Sequence, residues 1–143
     1  MTNLLSFNVS RDEKDRVSVI TPCVDGVMLT ALVEEFERGH GLTDPAGGYG
    51  GLIPEHFDYG PLDRYFLGKS ETLTGGPGGI FVLGCSCGEV GCWPLACVVS
   101  VRDGEIIWQS FEQPHRPTRD YSLFGSFVFE LKQYMEALRT LPQ

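Results

Sequence analysis

Apolar positions along the chain follow two periods, and these divide it into strands and helices. Leu4 to Val9 alternates loosely, as a strand with one buried face does. The charged run Arg11-Asp12-Glu13-Lys14-Asp15-Arg16 then makes a solvated turn. Val17 to Val24 is rich in β-branched residues, although Pro22 predicts an edge position or the end of the strand. Asp25-Gly26 breaks it. Leu29, Leu32, Val33 and Phe36 recur at the spacing of one buried helical face, with Glu34, Glu35 and Glu37 off that stripe. Gly39 stands where a left-handed residue closes a helix, which predicts an end near Arg38.

From Gly39 to Gly79 glycines and prolines interrupt every long element. Within that region Pro61 to Leu67 predicts a short helix with proline in its first turn. Ile80–Leu83 and Ala96–Val101 are solid apolar runs. Asp103-Gly104 is a two-residue hairpin signal that sets Val101 opposite Ile106, Val99 opposite Trp108 and Cys97 opposite Ser110. Val101, Val99, Cys97, Leu95, Ile106 and Trp108 then share the core face. Gln113 to Asp120 is polar, contains two prolines and reads as a loop. Phe127–Phe129 adds a last strand or begins the final helix. Leu131, Tyr134, Leu138 and Leu141 predict a C-terminal helix that stops before Pro142. The fold class that follows is α+β. It has an antiparallel sheet built from hairpins, packed by one helix from the N-terminal half and one at the C-terminus. Residues 1–143 make one domain, with 39–79 as its glycine/proline-rich loop region.

Charge narrows the partners. Nineteen acidic residues stand against 11 basic ones, a net charge of −8, and 12 of the acids precede residue 73. Such a surface repels phosphate backbones, which excludes sequence-independent nucleic-acid binding. It suits a basic protein partner, and it also simply keeps a protein soluble. Met1 to Arg16 carries no targeting pattern, and no run approaches the roughly 18 apolar residues of a membrane helix.

The chemistry concentrates in Cys85-Ser86-Cys87-Gly88-Glu89-Val90-Gly91-Cys92-Trp93-Pro94. Five cysteines, an odd number unevenly placed in a domain that needs no staples, point to a reducing cytoplasm. If Gly88 to Gly91 closes a hairpin, the sulfurs of Cys85, Cys87 and Cys92 converge. Three states fit that spacing. The thiolates bind zinc with His115 as fourth ligand (Cys23 being the other candidate); or Cys87 and Cys92 form a disulfide; or reduced thiols merely line a tight turn. Cys97 reads as a small core residue.

A nucleophilic or redox thiol at Cys87 or Cys92 needs a base or positive field, for which His115, Arg116 and Arg119 are the candidates. Extending the hairpin register puts Trp93 near Pro114, hence the His115 loop at the cysteine end of the sheet. Arg119 reads as solvated or paired with Asp120. Arg116, Tyr121 and Phe124 are the candidate binding residues, the two aromatics expected to be exposed. His40 and His56 read as surface residues without partners. Gly68-Lys69-Ser70 lacks the glycine and the strand that a phosphate-binding loop requires.

The run Cys85 to Leu95, followed by Trp108, Phe111-Glu112-Gln113-Pro114-His115-Arg116 and the Tyr134 helix, resembles a group of small uncharacterised bacterial proteins. Its members share a C-x-C-G-x-x-G-C-W-P motif, and the likeness covers the C-terminal half. The resemblance implies a bacterial cytosolic protein and no substrate. The function expected is an acidic interaction domain whose cysteine turn is held by zinc or close thiol packing. Its contact surfaces are the 39–79 segment and the His115 loop, and its partner is a basic protein. An inhibitor such as an immunity protein is one form this takes. The alternative is a small thiol-dependent enzyme using Cys87 or Cys92 with His115.

Overall fold

The charged run after the first strand turns later than expected. In the computed structural model, which describes residues 2–69, 78–86, 90 and 93–142, β1 (Leu5–Asp12) continues to Asp12 before the turn at 13–16. The Asp12 carboxylate accepts the backbone N–H groups of Lys14 and Asp15 at 3.0 and 3.2 Å, a local bond that closes this turn. β2 (Val17–Val24) returns antiparallel, and Asp25 and Gly26, both at positive φ, lead into β3 (Val27–Met28).

These strands form a sheet in the order β1-β2-β3, so Pro22 lies in a central strand rather than at an edge. The physical reason is a gap. β3 pairs only with Cys23 and Val24, while Ile20 bridges to Leu52, and Pro22 sits between these two contacts. Its missing N–H points into that gap.

α1 (Leu29–Gly39) ends one residue later than predicted. The left-handed residue is Gly41, at φ +74°, and the Leu42 N–H donates to the Glu37 carbonyl at 2.8 Å, closing the helix as a Schellman turn does. The glycine-rich region contributes β4 (Tyr49–Gly50) and α2 (Leu62–Phe66), with Pro61 directly before the helix. β5 (Gly79–Cys85), β6 (Leu95–Arg102), β7 (Glu105–Glu112) and β8 (Phe127–Glu130) follow, and α3 (Leu131–Leu138) closes the chain.

The second sheet has the order β4-β5-β6-β7-β8, with all its pairs antiparallel. Single bridges join the two sheets at both ends. Ile20 and Leu52 exchange backbone bonds of 2.8 Å each, and Asn3 bridges in parallel to Phe129. The two sheets therefore share one core, and each seam between them is held by a single bridge. At the first seam only glycine fits position 51, because a Cβ there would lie 2.7 Å from the Ile20 carbonyl and 2.5 Å from the Thr21 hydroxyl. The architecture is α+β, as the sequence predicts. Among the described residues no helix is long and apolar enough to cross a membrane.

The Asp103-Gly104 hairpin forms with Val101 opposite Ile106 and Val99 opposite Trp108. Its expected register then breaks, since Val98 pairs with Gln109 and Ala96 with Glu112, and Ser110 takes φ +58°. This bulge reverses the alternation of β7, so Phe111 and Gln113 turn inward while Ser110 and Glu112 face out. Val101, assigned to the core from the alternation, is 53% exposed near the hairpin tip.

Trp108 occupies the core centre, edge-on to Phe129, and its indole N–H donates to the Tyr134 hydroxyl at 3.0 Å. Tyr134 in turn donates to the Phe66 carbonyl, tying α3 to α2. Tyr65 donates to the Phe81 carbonyl at 2.7 Å and accepts the Phe81 N–H at 2.6 Å, tying α2 to β5.

All five tyrosines are buried. Burial pushes Tyr49, Tyr65, Tyr121 and Tyr134 above the ordinary phenol range. Unfolded tyrosines ionise near about pH 10, so above that pH the native state holds more protons than the unfolded chain. The stabilisation is complete below about pH 10 and is lost as pH rises through the native values. An alkaline titration should show little phenolate absorbance until the fold collapses, then a steep cooperative rise. Gradual ionisation near the free-phenol value would contradict this burial.

Candidate functional site

The last turn of α1 places a carboxylate where the helix packs inward. Leu29, Val33 and Glu37 lie four residues apart on one line of the helix, and all three are completely buried. Glu37 Oε1 accepts the Gly47 N–H at 2.7 Å. Its Oε2 accepts the Tyr49 hydroxyl at 3.0 Å, the Tyr121 hydroxyl at 2.5 Å and an Arg119 N–H at 3.0 Å. Gln113, turned inward by the β7 bulge, donates to the Tyr49 oxygen at 2.5 Å.

Arg119 completes the group. It also donates to the Tyr121 oxygen at 3.0 Å and to the Pro45 carbonyl at 3.1 Å. Burial pulls its guanidinium pKa down, but the bonds with Tyr121 and Glu37 outweigh that, and the net shift is upward. Burial first, and then the bond to Glu37, push the Tyr121 hydroxyl upward. The upward shifts keep Arg119 cationic and the Tyr49 and Tyr121 phenols neutral beside Glu37.

Trp93 roofs the cluster. Its indole N–H donates to the Gly47 carbonyl at 2.8 Å, with Arg116 4.2 Å and Arg119 5.0 Å from the ring centre. The expected proximity of Trp93 to the 113–120 loop is realised through Arg116 and Arg119. His115 is exposed.

Several expectations are corrected here. Arg119 is neither solvated nor paired with Asp120; it meets Glu37, because a buried carboxylate requires a cation that a surface aspartate does not. Tyr121 and Phe124 are 2% and 8% exposed. Both rings pack with Phe36, at 5.9 and 5.2 Å, since their loop folds back onto α1. The exposed apolar residue of that loop is instead Leu123, at 74%. His40 has partners too: it stacks on Phe36 at 4.0 Å, with Nδ1 2.9 Å from the Phe36 carbonyl.

Glu37, Tyr49 and Gln113 carry the site and were not among the candidates. The signal for Glu37 was present, because its spacing from Leu29 and Val33 puts it in line with the buried stripe rather than off it. Nothing local marks Tyr49 or Gln113.

Of the cysteine cluster, Cys87 and Cys92 lie outside the described residues, and with them the convergence of three sulfurs, the zinc site and the disulfide. Cys85 is half-buried at the end of β5, opposite Tyr49. It lines a 290 Å³ cleft with Asp12, Asp15, Val19, His56 and Ser86. His56 is exposed and shares that cleft. Cys23 is buried and its thiol lies 3.8 Å from the Thr21 carbonyl; Cys97 is buried, which pushes its thiol pKa up. Among the described residues no three His, Cys, Asp or Glu side chains are grouped so as to hold a metal ion.

The Glu37 cluster is chemically a clamp. The carboxylate is fully buried and both its oxygens accept from internal donors, so it is closed to a substrate. What it does is pin the 113–124 loop and the 42–49 segment against α1. No protein-family model matches the chain, and neither a curated protein nor a solved structure matches it.

Proposed function

We propose that the protein is an acidic, non-catalytic interaction domain of the bacterial cytoplasm whose partner is a basic protein. The observation that supports this is the Arg119 clamp. Through Glu37 and the Pro45 carbonyl it joins the start of the glycine-rich segment to the 113–124 loop as one preorganised surface. Loops ordered before binding lose less conformational freedom when they bind, and more of the contact energy appears as affinity. Outside the clamp, Leu123 projects beside Phe36, His40, Leu42 and Asp120, an apolar contact bordered by one carboxylate. The net charge of −8 adds attraction for a cationic partner.

The immobilised chain should retain a basic protein at moderate salt and release it as salt rises. Leu123→Ser, which removes the exposed apolar contact without changing the charge, should reduce that retention severalfold. Retention of no basic protein would remove this reading.

A further inference from the structure

Among the described residues, the outer edge of β1 is unpaired along most of its length. Ile20 gives its backbone N–H and C=O to Leu52, so both point away from β1. Its register partner Val9 is therefore at a non-hydrogen-bonded position, and the N–H and C=O of Val9 point away from β2. By the period of two, so do those of Leu5, Phe7 and Arg11.

Leu5 shows the direction independently. Its N–H donates to Gln133 Oε1 at 3.0 Å and its C=O accepts Gln133 Nε2 at 2.6 Å, a side-chain amide standing in for a strand. Beyond that cap, the outward groups of Phe7, Val9 and Arg11 have no partner among the described residues, and Asn8 to Asp12 are all exposed.

The vacant position has a topological origin. β8 reaches the start of β1 through the parallel Asn3–Phe129 bridge, and would be its neighbour all along. It ends at Glu130, where the chain turns into α3. Edges of this kind in folded proteins are usually covered, kinked or charged. Here the cover stops at Gln133 and the first charge is Arg11, with Val9 43% exposed between them.

We propose that this edge accepts an extended basic segment of a partner protein by strand addition, completing the position that β8 leaves. The inference rests on the proposed function for the partner's charge alone. A second copy of the chain is disfavoured as occupant, since each carries a charge of −8. Main-chain bonds would supply affinity and alternate side chains the selectivity. The face shared with Phe7 and Val9 takes apolar residues, and the face shared with Ser6, Asn8 and Ser10 takes the basic ones.

A short peptide of alternating valine and lysine is the probe, titrated calorimetrically into the full chain. Valines paired with Phe7 and Val9 turn their own amides toward β1. N-methylation of the valine amides should weaken binding about tenfold or more, while N-methylation of the lysine amides, at the same charge, should leave it nearly unchanged. Val9→Pro removes an outward N–H without touching the β1–β2 ladder and should weaken binding similarly; the methylated peptides carry the test if that variant does not fold. Absence of binding, or equal binding by both methylated peptides, would overturn the proposal. So would self-association of the chain that Val9→Pro abolishes, since a second copy would then be the occupant. If the peptide fails while a basic protein is still retained by the immobilised chain, the edge is wrong and the interaction reading survives.

Discussion

Glu37→Ala is expected to cost the fold about 3–5 kcal/mol, the range for breaking one side of a buried ion pair. The Arg119 side chain is only 12% exposed, and Tyr49, Tyr121 and the Gly47 N–H would all lose their shared acceptor. The size follows from what is left behind. Arg119 keeps its bonds to the Tyr121 oxygen and the Pro45 carbonyl, but its buried charge loses its counter-ion and keeps its desolvation cost, whereas removing both charges removes that cost. Glu37→Leu combined with Arg119→Met should therefore cost less than the sum of the two single changes. Urea unfolding of the singles and the double, read as a cycle, measures this coupling. A loss below about 1 kcal/mol for Glu37→Ala would mean that the cluster does not hold the loops together. The same cycle bears on the proposed function, because a loosened 113–124 loop should bind its partner more weakly even where the domain remains folded.

Trp108→Ala should be comparably damaging, at about 3–5 kcal/mol. The indole is fully buried where β7, β8 and α3 meet, in contact with Phe129 and Tyr134. Its removal leaves a cavity and deprives the Tyr134 hydroxyl of the N–H it accepts. Trp108→Phe separates the two effects. The ring keeps most of the packing, and because Tyr134 still donates to the Phe66 carbonyl, the added loss should be about 1 kcal/mol. Thermal or urea midpoints, with near-ultraviolet circular dichroism to report packing, decide between them. Equal losses for alanine and phenylalanine would show that the hydrogen bond, not the volume, dominates.

Much of this architecture is legible in local pattern. The α1 stripe, the Asp103-Gly104 hairpin, the Pro61 helix and the C-terminal helix each follow from spacing and turn chemistry within a few residues. Failures occur where a distant contact overrides that local signal. The Ser110 bulge reverses which side of β7 faces inward, and no alternation rule anticipates it. Tyr121 and Phe124 look like loop aromatics bound for solvent until Phe36 lies beneath them. Arg119 looks like a surface charge until Glu37 lies within 3.0 Å, although 82 positions separate the two in sequence.

The sequence by itself determined the fold class, the longer strands, the helices and the excess of acidic residues. Those depend on periodicity, propensity and charge, which act over one turn of helix or one pair of residues. Only the tertiary structure decided that a glutamate on the apolar line of α1 would gather two tyrosines and an arginine, and that β1 would keep an edge with no strand beside it among the described residues. A buried charge must be matched by whichever donors the folded chain brings to it, and strand edges are assigned by where neighbouring strands end. Both are settled by contacts between segments far apart in sequence.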